Sequence, residues 1–339
     1  MGRWRAAPRR LSLSRMLVAD RPELVASGGW TGIGALCDSC PMKTGHVLQL
    51  LLLSAVWGVS FLLIRIAGDS FPPIWVALLR CSAGALLLWT VMLLGRRSLP
   101  ERGLLPWLAL VALFNNAIPF TFFAWGERTI PSSTAAVVNA TTPIWALLLS
   151  LAVSRGHVTG RMIAGVLLSF AGVVLVVSGH AVEEGTAADR RGLVLGVTLV
   201  VLASLGYAIA TVMAKAKLKG IDPIGLATSQ LSLAALMLLP VALLGPHPGH
   251  ISGASIAAVA TLGLAGSGIA YLIYFTLLAQ VSATHVVAVT YLLPICGLFW
   301  GLLAHEAIGW TSYAGVAVVV AGLLLLNWKP KVAVARAAA

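Results

Sequence analysis

Ten apolar stretches, each about 20 residues long, follow one another along this chain with short polar breaks between them. They fall near 46–66, 73–95, 104–125, 132–153, 161–179, 193–214, 223–244, 254–278, 284–304 and 309–327. About 20 apolar residues in a helix cross a bilayer core of about 30 Å. Helices are required, because lipid offers no partner to unpaired backbone groups. The runs are continuous rather than alternating, which excludes a β-barrel. The predicted fold is all-α integral membrane with ten transmembrane helices.

The ten stretches are five stretches written twice. A shift of 150 residues lays Ser54 on Ser204, Trp57 on Tyr207, Pro73-Ile74 on Pro223-Ile224 and Ala77 on Ala227. A shift of 151 lays Ile118 on Ile269, Val138 on Val289 and Pro143-Ile144 on Pro294-Ile295. At 150 again, Gly165 meets Gly315 and Ala171-Gly172 meets Ala321-Gly322. Five crossings leave the chain on the far side, so the second copy enters the membrane from the opposite face. Two inverted five-helix repeats with a solute held between them are the usual architecture of secondary transporters. The predicted division has a basic tail and leader over 1–45, a first repeat over 46–179 and an external acidic linker over 180–192. The second repeat covers 193–327 and a cytoplasmic tail 328–339.

Composition agrees with the pattern: 59% of residues are hydrophobic, 10% are charged, and the mean hydropathy is +0.95. Such a surface could not be solvated as a soluble globule. The net charge of +12 raises the question of nucleic acid. Its placement answers that question. With the N-terminus inside, 18 of the 23 Lys and Arg fall on inside segments, and only Arg128, Arg190 and Arg191 fall outside. This bias places both termini in the cytoplasm and makes the basicity a topology signal. No nucleic-acid partner is expected. Cys81 and Cys296 lie inside apolar helices as packing residues, and Cys37-Asp-Ser-Cys40 is half of a zinc spacing without its second half. No metal or other cofactor is implied. Residues 1–41 carry six Arg and no long apolar run. They read as a disordered tail, or as sequence upstream of a start at Met42.

The resemblance is carried by ordered short motifs: Ser54-Ala-Val-Trp57-Gly58, Pro72-Pro73…Leu79-Arg80, Asn116-Ala-Ile-Pro119-Phe120, and Asn139-Ala-Thr141-Thr142-Pro143. Ala270-Tyr271…Tyr274 and Val289-Thr290-Tyr291-Leu292-Leu293-Pro294 repeat the theme in the second half. Over residues 46–327 the chain resembles the EamA-type branch of the drug/metabolite transporter superfamily. That resemblance implies movement, chiefly export, of amino acids and related small metabolites across the bacterial inner membrane. It implies no enzyme.

Helical spacing sorts the polar residues onto faces. Ser267, Tyr271 and Tyr274 share a stripe, and the repeat sets Asn116, Phe120 and Phe123 in the same places. Trp57 lies on a stripe with Ser54 and Phe61, matched by Ser204, Tyr207 and Thr211. Asn139 and Thr142 share a face, and Thr290 is the counterpart of Asn139. Together with Arg80, these residues form the candidate solute site: Trp57, Arg80, Asn116, Phe120, Asn139, Thr142, Tyr207, Ser267, Tyr271, Tyr274 and Thr290. Aromatic walls with a few hydrogen-bonding groups suit a small amphiphilic solute. Plain helix-to-helix bonding explains the same Ser, Thr and Asn equally well. Arg80 is the one deeply embedded basic residue, and Gln230 is its counterpart. A charge there calls for a solute carboxylate or a carbonyl at a helix break as partner, or for a side chain that snorkels outward.

No Asp or Glu sits at mid-membrane; Glu127 and Arg128 read as residues that solvate a helix end. His285 is the nearest proton-handling candidate, and its other reading is an interface residue. Tyr313 and Trp310 read as belt residues, and Pro119, Pro143 and Pro294 as mid-helix kinks or gates. Gly263-Leu-Ala-Gly266-Ser-Gly268 lies in an apolar helix and reads as a packing surface rather than a phosphate loop. The expected partners are a small-molecule solute, the lipid bilayer and a second copy of the chain in a homodimer. The alternative class, a membrane-embedded enzyme acting on a lipid-linked substrate, requires a polar catalytic cluster that the sequence does not offer.

Overall fold

A computed structural model describes residues 43–154, 158–183, 187–281 and 283–327. The tail with Cys37, Cys40 and Met42, and the segment 328–339, lie outside the described residues. The first two spans are α1 (Thr44–Gly68) and α2 (Pro73–Leu94). The third joins α3 (Leu105–Ala112), a wide π-type turn at Leu113–Ala117 and α4 (Ile118–Gly126). The fourth is α5 (Ser132–Asn139) and α6 (Thr142–Ser154), the fifth α7 (Gly160–Glu183) and the sixth α8 (Ala187–Lys217). The seventh is α9 (Pro223–Leu244), and the eighth joins α10 (Gly253–Thr261), a second π-type stretch at Leu262–Ile269 and α11 (Ala270–Gln280). The ninth is α12 (Ala283–Val286) and α13 (Ala288–Leu303), and the tenth α14 (Trp310–Asn327). Among the described residues nine helical stretches are long and apolar enough to cross a membrane, and Ala288–Leu303 is a shorter apolar helix. Within the expected linker 180–192, α7 runs to Glu183 and α8 begins at Ala187, and residues 184–186 lie outside the described residues.

The breaks have local causes. Pro119 has no N–H to return to the Asn115 carbonyl, and the helix widens into the π turn just before it. Pro143 likewise cannot serve the Asn139 carbonyl. The Thr142 hydroxyl donates to that carbonyl instead, at 2.8 Å. So Pro119 and Pro143 each stand at the second position of a new helical piece rather than mid-helix, while Pro294 lies inside the unbroken α13.

The repeats interlock symmetrically. α1 packs on α13 and its counterpart α8 on α6; α2 packs on the eighth span and its counterpart α9 on the third. α7 and α14 pack along each other. Glycines permit this: a Cβ at Gly172 would lie 2.7 Å from the Gly315 carbonyl, and one at Gly165 2.8 Å from the Gly322 carbonyl. Gly165 and Gly172 are the counterparts of Gly315 and Gly322. A pseudo-twofold axis therefore passes near Ser169 and its counterpart Val319, where the Ser169 hydroxyl donates to the Val319 carbonyl.

Candidate functional site

Both π turns face the middle of the bundle. The first presents Asn115 and Asn116 side by side, because a wider turn brings consecutive residues toward one face. The Asn115 amide donates to the Gln230 carbonyl oxygen at 3.0 Å, and the Asn116 amide to the Tyr271 hydroxyl at 3.2 Å. In the second π stretch the Gly266 carbonyl accepts from the Trp57 indole at 3.2 Å, and Ser267 Oγ accepts from Arg80 Nε at 3.0 Å. The Arg80 guanidinium lies over the Phe120 ring, 3.8 Å from its centroid. Arg80 is buried, and its charge is met by a hydroxyl and an aromatic face. These partners supply part of what an embedded cation requires.

Aromatic rings close the group on two sides. Trp57 packs on Tyr274 with centroids 5.7 Å apart. Phe123 packs on Phe61 at 5.5 Å and on Tyr207 at 5.9 Å. The structure thus gathers Trp57, Arg80, Asn116, Phe120, Tyr207, Ser267, Tyr271 and Tyr274. Asn139 meets α8 one turn before Tyr207: its side-chain Oδ1 accepts from the Ser204 hydroxyl at 3.5 Å and lies 3.2 Å from the Thr142 hydroxyl. The Thr290 hydroxyl donates to the Val287 carbonyl at the start of α13, as that of Thr142 does to Asn139. Thr211 is exposed and bonds back to Tyr207. His285 sits half-buried in α12 at the start of the ninth span. Trp310 and Tyr313 are exposed on the bundle surface, as belt residues are.

Sequence reasoning missed Asn115 and gave Gln230 only the role of Arg80's counterpart. The repeat could have exposed both. Arg80 to Ser267 joins spans two and eight, and Gln230 to Asn115 joins spans seven and three. The same symmetric seam carries a charge on one side and an amide pair on the other.

A second polar group was not expected. It lies at the end of the bundle formed by loops 127–131 and 304–309, where few Lys and Arg occur. Glu306 accepts at Oε1 from the Ser132 N–H (2.9 Å) and hydroxyl (2.7 Å), and at Oε2 from the Ser133 N–H (3.1 Å) and hydroxyl (2.6 Å). It thereby caps the N-terminus of α5 from the other repeat. Arg65 Nη1 stands 3.4 Å away. Burial works to raise the Glu306 pKa, but the four bonds from Ser133 and Ser132 outweigh it and hold the carboxyl below the usual carboxylate range. Glu127 corrects the expectation of a solvated helix end: Arg128 is exposed, whereas Glu127 is 5% exposed. Neither Glu127 oxygen has a hydrogen-bond partner among the described residues. Burial, with the Glu306 charge added, pushes its pKa well above the ordinary value. At the opposite, basic end, Arg97 pairs with Asp222, which caps α9 through the Gly225 N–H.

The pattern of the EamA-like transporter family matches residues 45–178 and again 194–328. An uncharacterized transporter of Archaeoglobus fulgidus is 26% identical over 84% of this chain and 99% of its own. The uncharacterized inner membrane transporter YedA of Escherichia coli K12 is 27% identical over 82% of this chain and 89% of its own. A solved crystal structure superposes with a TM-score of 0.62 over 84% of this chain and 96% of that one. At 17% identity that likeness speaks for the fold alone.

Proposed function

The chain belongs to the EamA-like transporter family, and from that premise we propose that it exports a small amphiphilic metabolite, an amino acid or related compound, across the bacterial inner membrane by alternating access. The two repeats rock about the central group, and no covalent chemistry is required; the carrier needs only two states close in energy. The observation that carries this reading is Arg80, a buried cation held between repeats by Ser267 and Phe120. Its planar fork keeps donors in reserve for a solute carboxylate. The π turns widen the helix on either side of that point, a placement associated with functional sites. The charge bias supports an orientation with both termini in the cytoplasm, so that the Glu306 end faces outward.

Purified protein in vesicles, loaded with a mixture of labelled amino acids and other small carboxylates, tests the reading by counterflow. Selective exchange of one class supports it, and exchange of none sinks it. For orientation, a reporter fused after Ala339 should read cytoplasmic and one inserted at Gly185 external. A periplasmic C-terminus would overturn the inverted arrangement of faces.

A further inference from the structure

We propose that Glu127 is a proton-binding site that latches the outer end of this transporter: its carboxyl carries a proton while that end is closed and releases it to external water when the end opens.

The geometry supplies the reason. Glu127 ends α4, where its own N–H donates to the Phe123 carbonyl at 2.9 Å. Its side chain is 5% exposed, with both oxygens unpartnered among the described residues. An isolated carboxylate in such a place costs several kcal/mol, so the neutral acid is the species that fits. The charged groups that act on it come from three other elements. Glu306 comes from the loop before α14, Arg65 from the end of α1, and Arg80 from α2 at greater depth. Arg128 follows on its own loop and points to solvent. Glu306 opposes ionisation. Arg65 favours it, but it is half-exposed and engaged with Glu306, and Arg80 is engaged with Ser267 and Phe120. Burial therefore prevails over the two cations.

The sign follows from linkage. The closed end holds the acid above its ordinary pKa; hydration on opening returns it toward about 4.3. Protonation thus favours closure. The preference is complete below the ordinary value and fades as external pH rises through the raised one. Along α4, Phe123 lies between Glu127 and Phe120, the ring beneath Arg80, and Phe61 and Tyr207 pack on Phe123 to complete an aromatic layer. When the inner end opens, the proton stays behind that layer and does not travel with solute. External pH then sets how often the outer end opens without supplying a driving force.

The latch rests on the alternating-access reading, but its test uses no solute. The full chain, with its four native cysteines replaced, is placed in lipid nanodiscs and titrated from about pH 5 to 9. Infrared spectra report the carbonyl stretch of neutral carboxylic acids. Spin labels at Asp69→Cys and Ala307→Cys, both exposed on loops of the outer end, report its width. The expected result is a neutral-acid band that persists above pH 5, disappears on further alkalinisation, and is missing in Glu127→Gln. The label distance should lengthen over the same pH range, and Glu127→Gln should stay closed throughout. Glu127→Asp should still titrate, with a displaced midpoint, which covers the case of a poorly folding Gln variant. A spectrum unchanged by Glu127→Gln would overturn the proposal, as would a label distance that ignores pH or moves identically in that variant. A normal titration with no counterflow of any solute would retain the proton site and reject transport instead.

Discussion

Replacing Glu306 by Gln should loosen the end of the bundle that it clamps by an amount that follows from the geometry. The carboxylate accepts four hydrogen bonds of 2.6–3.1 Å from Ser132 and Ser133. An amide keeps one acceptor oxygen and turns an NH2 toward the other serine. One N–H then loses its partner, and the remaining bonds lose their charge assistance. The favourable meeting of a negative charge with the N-terminus of α5 is lost as well. Bonds to a charged group are worth about 1.5–3 kcal/mol against about 1 for neutral ones, so the net cost to the closed end is about 2–4 kcal/mol. Arg65 adds little, since half of it is in solvent. In the open state the same side chain is hydrated in either form. The open population should therefore rise roughly 30- to 700-fold, at about 1.4 kcal/mol per factor of ten. A single cysteine at Asn139, beneath the clamp, should react with an external maleimide faster by that factor. Ser133→Ala, a milder cut, should give about 5- to 30-fold. Native closure should also survive mild acid. Glu306 is held below the usual carboxylate range, so its contribution is present above the ordinary pKa and lost only as pH falls through the lowered one. Unchanged labelling in a folded Glu306→Gln protein would refute the clamp.

Two other outcomes follow from the packing. Arg80→Gln copies its counterpart Gln230 and should leave folded yield intact while slowing counterflow of carboxylate solutes about 10- to 100-fold, the worth of a charge-assisted bond; Arg80→Lys should also impair it, because a point charge does not reproduce the planar fork. Loss of folded protein in Arg80→Gln would make Arg80 structural. Gly172→Val should destabilise the protein by about 1–3 kcal/mol, read as a lowered thermal midpoint in detergent, because its Cβ meets Gly315 backbone at 2.7 Å. Gly45→Val, with open space around it, is the matched control and should do little.

The spans were legible because each must bury a run of apolar side chains in lipid, and that requirement is written locally. The same holds for the Arg80 group, since repeat symmetry and helical faces pointed to Trp57, Phe120, Ser267 and Tyr271 before any contact was known. The rest depended on distances in space. Glu127 beside Arg128 at a helix end has the local grammar of a solvated pair. Its surroundings come from far away along the chain: Gly126 beside it packs on Gly196 and Val200 of α8, and the nearby charges are those of Glu306 and Arg65. The capping role of Glu306 has the same origin, since Ser132 and Ser133 lie in the other repeat. Asn115 escaped because helical periodicity assumes 3.6 residues per turn, and the π turn before Pro119 breaks that count.

Duplication explains why the missed residues matter. Two copies of one backbone yield two equivalent seams, and a solute with one charged group cannot use both alike. The seam of Arg80 and Ser267 holds a cation, whereas that of Gln230 and Asn115 holds neutral amides already bonded to each other. The closed end follows the same division: Glu306 belongs to the second repeat and its serine donors to the first. Symmetry sets where the repeats meet, and the side chains that depart from it make the two seams, and the two ends of the bundle, chemically unlike.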